Sequence, residues 1–202
     1  MQSTDGGAAG RPAATRSTRT LEPLLHPTEL RDGFQVSVHH SPRLLLRELQ
    51  LVFPLQMTRR PAEQQVLAVL TCQRSLMDLS QFGLDTAKEK DRLLETFVAF
   101  AQYVTEALID RGFWADYIDP CSGLPMRTLQ SNKVYSEVDG VELLLRYRCL
   151  SAGMCKILVH PRWGAAVYPA SLFTNAPFDV TRDVLLNIPE KSWLTQTEEP
   201  SD

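Results

Sequence analysis

From Thr86 to Gly112 the chain carries one apolar stripe, with Leu93, Phe97, Ala101, Val104 and Leu108 recurring at spacings of three or four residues. That spacing lines them along one face of an α-helix, so a single long element must have a core to lie against. Thr86 and Glu89 form the pattern of a capping box, in which side chains satisfy the first exposed amides. Gly112 supplies the left-handed residue that closes a helix. At about 1.5 Å per residue the helix is about 38 Å long, enough to span the domain as its central packing element.

The next residues are equally restrictive. Phe113 to Ile118 is an aromatic and β-branched run that favours a strand. Asp119, Pro120, Ser122 and Gly123 then supply turn chemistry. Asp116 is out of place in such a run, because a buried carboxylate needs a hydrogen-bond or charge partner. The segment reads as a core strand with one satisfied acid.

Upstream, Phe34 to Val38 alternates with the period of a half-buried strand. Ser41 as N-cap and Pro42 in the first turn predict a helix over 43–49, ended by Phe53-Pro54. Val66 to Cys72 is a continuous apolar run suited to a central strand. Downstream, 127–133 is a polar loop, and Val141 to Tyr147 reads either as extended chain or as a short helix. Cys155 to Val159 and Ala165 to Tyr168 read as a short antiparallel hairpin around Pro161 and Gly164. Asp179 to Leu186 is the final helix. Residues 1–30 read as a flexible lead-in and 188–202 as a polar acidic tail. Between them, 31–187 form one α+β domain, a mixed or antiparallel sheet packed on long helices.

Composition excludes several functions. With 202 residues, 44% hydrophobic, the chain can bury a core without disulfides or metal. A net charge of −3 gives no footprint for nucleic acid, and no apolar run reaches the roughly 18 residues a membrane span requires. Cys72, Cys121, Cys149 and Cys155 lack zinc spacing, which favours free thiols in a reducing compartment. No glycine-rich nucleotide motif occurs, and Arg43 and Arg47 read as solvated. Arg11, Arg16 and Arg19 with only Asp5 resemble a mitochondrial presequence, yet Gly6, Gly7, Gly10 and Pro12 oppose an amphipathic helix there. The expected compartment is the cytoplasm, with the mitochondrion left open.

Three blocks carry a resemblance: 112–124, Gly153-Met154-Cys155-Lys156-Ile157 through His160-Pro161-Arg162-Trp163-Gly164, and Leu172-Phe173-Thr174-Asn175-Ala176. In order and spacing, across about residues 30–180, the chain resembles the CblD family of cobalamin trafficking, the methylmalonic aciduria and homocystinuria type D proteins. The resemblance implies a fold like that of flavin nitroreductases, without retained flavin. It implies a non-enzymatic adaptor that docks on a CblC-like chaperone and offers a cysteine thiolate to the cobalt of cobalamin. Cobalamin would be ligated transiently, with no tightly bound cofactor, and directed to methionine synthase or methylmalonyl-CoA mutase. The alternative from another class is a flavin-dependent, nitroreductase-like oxidoreductase.

The residue to which the resemblance assigns the metal is Cys155, whose thiolate is the soft donor a transition metal prefers. Family members show two adjacent cysteines at this block and this chain has Met154-Cys155, so only the second thiol is retained. Left to composition alone, Cys155 reads as a small buried hydrophobe. Lys156 beside it would point to the opposite face of a strand. His160 lies five residues on, where strand parity separates it from Cys155, so it reads as a histidine hydrogen-bonded at a strand end. His39 and His40 read as surface. Trp163 and Arg162, in a turn, suit a partner interface, to which Asn175 is also assigned. Asn175 reads as fixing a loop, or as orienting a cofactor amide.

Overall fold

A five-stranded antiparallel sheet organises the molecule. The computed structural model describes residues 22–57, 65–153 and 155–193, with the backbone alone described at 152, 155, 191 and 193. In chain order the elements are β1 (Leu25–Arg31), β2 (Phe34–His40), α1 (Arg43–Val52), β3 (Leu67–Arg74), α2 (Leu84–Ile109) and β4 (Ala115–Tyr117). They continue with α3 (Glu137–Leu145), β5 (Arg148–Ala152), β6 (Cys155–Val159), β7 (Val167–Thr174), α4 (Phe178–Leu186) and a 3-10 turn at Glu190–Trp193. The sheet order is β1-β2-β3-β7-β4, and β5-β6 form a separate two-stranded sheet. The chain is thus an α+β fold with every described strand pair antiparallel.

Strand parity sorts the core into two sides. Val36, Val38, Leu67, Val69, Ala170 and Leu172 face one way and pack on the predicted stripe of α2, with α4 behind it. On the other side Ala68 and Phe173 pack against α1, and Leu70, Cys72 and Val167 pack against Val141 of α3 and Leu158 of β6. The long helix closes as expected. Gly112 has φ 85° and Phe113 N donates to Leu108 O at 3.1 Å, the geometry of a left-handed helix stop.

Several expectations need correction. The helix starts at Leu84 with Gly83 as N-cap, so Thr86 and Glu89 make no capping box. Glu89 instead accepts from Leu76 N at 2.8 Å and Ser75 Oγ at 3.1 Å, tying the helix to the end of β3. The N-cap of α1 is Pro42 rather than Ser41, without a side-chain cap. Leu25–Arg31 is an edge strand inside the stretch read as lead-in to residue 30; residues 1–21, including the presequence-like arginines, lie outside the described residues. Part of the stretch read as tail, Glu190–Trp193, is a 3-10 turn, and 194–202 lie outside the described residues. The segment left open at 141–147 begins within a helix, α3.

The hairpin expected from Cys155 to Tyr168 does not form. Its turn exists, since His160 N donates to Gly164 O at 2.8 Å and Gly164 N returns to His160 O at 2.9 Å. The strands then diverge: β6 pairs with β5, while β7 enters the main sheet between β3 and β4. His39 is buried, not surface, and bonds Ser37 Oγ at 2.9 Å.

Gly140 in α3 yields a test of this packing. A Cβ there would collide with the Tyr135 hydroxyl and lie 2.9 Å from its Cζ. Alanine normally gains about 1 kcal/mol over glycine inside a helix. Here Gly140→Ala is expected to lose about 2 kcal/mol by overpacking, read as a lower midpoint in urea. Replacing Tyr135 by a smaller residue in the same chain should restore part of the loss, a coupling expected only between touching residues.

Candidate functional site

The β5-β6 hairpin stands apart from the main sheet and is held at its base. Leu158 packs with Leu70, Cys72, Val141 and Val167, so the end nearer His160 is anchored in the core. At the other end the turn through Gly153 has φ 61°, and a Cβ built there meets nothing within 4 Å. The backbone of Cys155 is the first residue of β6, opposite Ala152 and next to that open turn. The Cys155 side chain lies outside the described residues, as does Met154.

Lys156 is committed elsewhere. Its ammonium bonds Asp139 Oδ1 at 2.6 Å and Glu142 Oε2 at 3.0 Å, both on α3. Those acids raise the lysine pKa and fasten the hairpin to the helix. His160 is buried at the far end, where Nε2 meets Gln35 Oε1 at 3.1 Å. Its Nδ1 accepts from Arg162 N at 3.2 Å and Trp163 N at 3.3 Å. Burial lowers its pKa to about 4, so the ring is neutral at pH 7. It is the satisfied strand-end histidine that parity suggested.

Trp163 is half-buried, its ring stacked on His160 at 4.1 Å between centroids. Arg162 is exposed and pairs with Glu29 Oε2 at 3.0 Å. Both stand at the start of the segment that leads into β7. Asn175 is at the opposite end of that strand, where Oδ1 accepts from Trp114 N at 2.8 Å and closes the β4–β7 pairing. The fold therefore brings Arg162 and Trp163 together and leaves Asn175 about eight strand residues away, roughly 26 Å. Arg43 and Arg47 are exposed on α1.

A cleft of about 420 Å³ opens beside the hairpin, between β6, the start of β7, the N-terminus of α3 and the segment before α2. Its walls include Leu79, Phe82, Val138, Ile157, Leu158 and Val167. Glu137 and Tyr168 also line it, and neither was singled out in the sequence. Glu137 is the first residue of α3, where an acid normally complements the helix dipole. Burial opposes that preference and wins, raising its pKa to about 8. Oε2 takes the Ser171 hydroxyl and Oε1 has no partner. An acid in a first helical turn is so common that no sequence signal marks this one as buried.

Among the described residues no group of three or more His, Cys, Asp or Glu could hold a metal ion. None of the described helices is long and apolar enough to cross a membrane.

The family model described as methylmalonic aciduria and homocystinuria type D protein matches residues 13–185. The chain belongs to that family. Its relatives include the proteins named cobalamin trafficking protein CblD from rat and human, each 30% identical over 145 residues. The one from chicken is 31% identical over 146 residues. Each alignment covers 72% of this chain and 47% of the relative, so the chain spans just under half the length of the curated relatives it matches.

Proposed function

We propose that this chain is a non-enzymatic cobalamin-trafficking adaptor that docks on a CblC-like chaperone and presents Cys155 to the cobalt of the cargo. The observation that carries this reading is the family match over 13–185, with Cys155 beside an open hairpin turn. A corrin already fills most of the metal's coordination sphere, so one soft axial donor is all the adaptor must add. The Cys155 thiol loses its proton to solvent, its sulfur lone pair forms the axial bond, and the previous axial ligand departs. No electron is transferred in that exchange. Lys156 has its charge compensated by Asp139 and Glu142 of α3. Arg162 and Trp163 are proposed to border the docking surface, and methionine synthase or methylmalonyl-CoA mutase to receive the cargo, in the cytoplasm or the mitochondrion.

The test is optical. Mixing the protein with the loaded chaperone, anaerobically and under reducing conditions, is expected to change the visible spectrum of the cofactor. Cys155→Ser should abolish the change, while Cys121→Ser should leave it intact. An unchanged spectrum with the native protein overturns the ligand role. The kinship of the fold with flavin nitroreductases belongs to the same proposal, and the purified protein is expected to show no flavin absorbance and no nicotinamide oxidation.

A further inference from the structure

Between β6 and β7 the chain turns, but the flanking strands do not pair. His160 N donates to Gly164 O at 2.8 Å and Gly164 N donates back to His160 O at 2.9 Å, so the backbone of His160 points away from β5. Bonding direction alternates along an antiparallel strand. Leu158 and Lys156 therefore turn their N–H and C=O groups the same way as His160, while Ile157 faces β5 opposite Leu150. Among the described residues no backbone group bonds Lys156 or Leu158 on that side. The cleft of about 420 Å³ opens where the strands part, with Lys156 and Leu158 on one side and Val167, Tyr168 and Pro169 on the other.

Two unpaired edges thus border one gap, and they are not equivalent. β4 pairs with β7 only at 172–174. Just before that, Ile118 N donates to Ser171 O at 3.0 Å. Two residues earlier Pro169 faces the same way and has no N–H to give, which blunts this edge against further pairing. The edge of β6 carries no such block. Lys156, whose side chain could guard it, is held on α3 by Asp139 and Glu142. An open edge of this kind accepts an added strand.

We infer that the gap receives an extended, acid-bearing peptide segment of a partner protein, which adds to β6 as the third strand of the β5-β6 sheet. Its backbone bonds the N–H and C=O groups of Lys156 and Leu158, and its apolar side chains lie against Leu79, Phe82 and Val138. Phe82 is fully exposed on the rim of the cleft, a large apolar contact surface of the kind that marks a binding site. Charge defines the rest of the segment. Lys156 is shared by two acids, and the buried Glu137 is neutral at pH 7 with its pKa raised to about 8. Lys90 also lines the cleft, and among the described residues no acid bonds it. A carboxylate on the segment compensates that ammonium. The site needs nothing from the Cys155 side chain and stands whether or not cobalt is ligated.

The probe is the blocked peptide acetyl-Thr-Val-Thr-Val-Glu-amide, titrated into the full chain at neutral pH and followed by backbone amide resonances. Saturable binding is expected. Hydrogen exchange of the Lys156 and Leu158 amides should slow about tenfold at saturation, while that of Ile157, already facing β5, changes little. Two analogues, N-methylated at odd or at even residues, should differ about tenfold in affinity, since only one edge of the peptide faces β6. Lys90→Glu should weaken the peptide severalfold, and should have little effect on a peptide with Gln in place of Glu. Phe82→Ala, at a side chain outside the core, should weaken both peptides severalfold. Absence of saturation, unchanged exchange at Lys156 and Leu158, or equal binding of the two N-methylated analogues overturns the strand addition. Binding indifferent to both Lys90→Glu and Phe82→Ala places the peptide outside the cleft and overturns it as well.

Discussion

Asp116→Ala is expected to lose about 4 kcal/mol of stability, the largest effect of any single substitution outside the apolar core. In a domain of this size that is a fall of roughly 12 °C in melting temperature. The reason is the number of donors that converge on one side chain. Asp116 is fully buried. Its Oδ1 accepts from Tyr117 N at 2.8 Å and Arg127 N at 3.0 Å, and Oδ2 from Thr128 N at 3.0 Å and from the Thr128 hydroxyl. These donors belong to β4 and to the segment that runs beside it, where Met126 N also reaches Tyr117 O at 2.9 Å. The carboxylate thus covers the outer edge of the sheet with irregular chain.

Removing the side chain leaves the buried Tyr117 amide without this acceptor and takes both partners from the part-buried Arg127 and Thr128 amides, and an unsatisfied buried amide costs more than a hydrogen bond contributes. Asp116→Asn is the informative second variant. It keeps the volume and one acceptor, but turns its amide donors toward Thr128, donor against donor. The expected loss is about 2 kcal/mol, measured by denaturant midpoint. A loss below about 1 kcal/mol in the alanine variant would mean that water replaces the carboxylate and the edge is open.

Asp116 also marks what the sequence made legible. An acid in an aromatic run had to be satisfied, and it is, though nothing in the sequence said that backbone amides eleven and twelve residues on would do it. Local signals were read well where one element decided the outcome. The α2 stripe, the Gly112 stop, the central β3 and α4 all depend on residues a turn or two apart. Pairing is different, because a turn around Pro161 and Gly164 has the same local chemistry whether its flanking strands join or part. Only the long-range register of β7 with β3 separates the two, and no local pattern encodes it.

Edges and floors were also hidden. β1 reads Leu25-His26-Pro27-Thr28-Glu29-Leu30-Arg31, polar and interrupted by proline, because an edge strand needs few apolar residues and tolerates breaks in register. The register shifts within its pairing to β2 show that tolerance. Of the candidate site, the family blocks pointed to the hairpin, and His160 lies buried at the other end of β6, bonded to Gln35. The cleft was invisible, since it is made from segments that meet only in the folded chain.

Stability is expected to peak near pH 6.5, falling on both sides for separable reasons. On the acid side His39 and His160 are buried and neutral, each with its pKa lowered to about 4 from 6.5, with desolvation as the leading cause. Between those values the unfolded chain binds protons that the folded chain refuses. Their stabilisation is complete above pH 6.5 and is lost as pH falls, at about 1.4 kcal/mol per pH unit for each ring. Glu89 extends the decline below pH 4.5, because its bonds to Arg92, Leu76 and Ser75 lower it to about 2. On the alkaline side the sign reverses. Glu137 keeps its proton in the folded state up to about pH 8, whereas the unfolded value is 4.5. Its stabilisation is whole below pH 4.5 and is lost as pH rises to about 8. Between pH 4.5 and 6.5 the two histidines outweigh this one acid, and above 6.5 the acid is left alone. From pH 6.5 to 8 the native protein should therefore lose about 2 kcal/mol. Glu137→Gln, neutral at every pH and close in volume, should flatten that limb and steepen the acid limb between pH 4.5 and 6.5, where the acid no longer opposes the two histidines. Urea midpoints at pH 5, 6.5 and 8 measure both limbs. A variant whose midpoint falls between pH 6.5 and 8 as steeply as the native chain's would assign the alkaline loss to another group, and Glu137 would then be charged at the floor of the cleft.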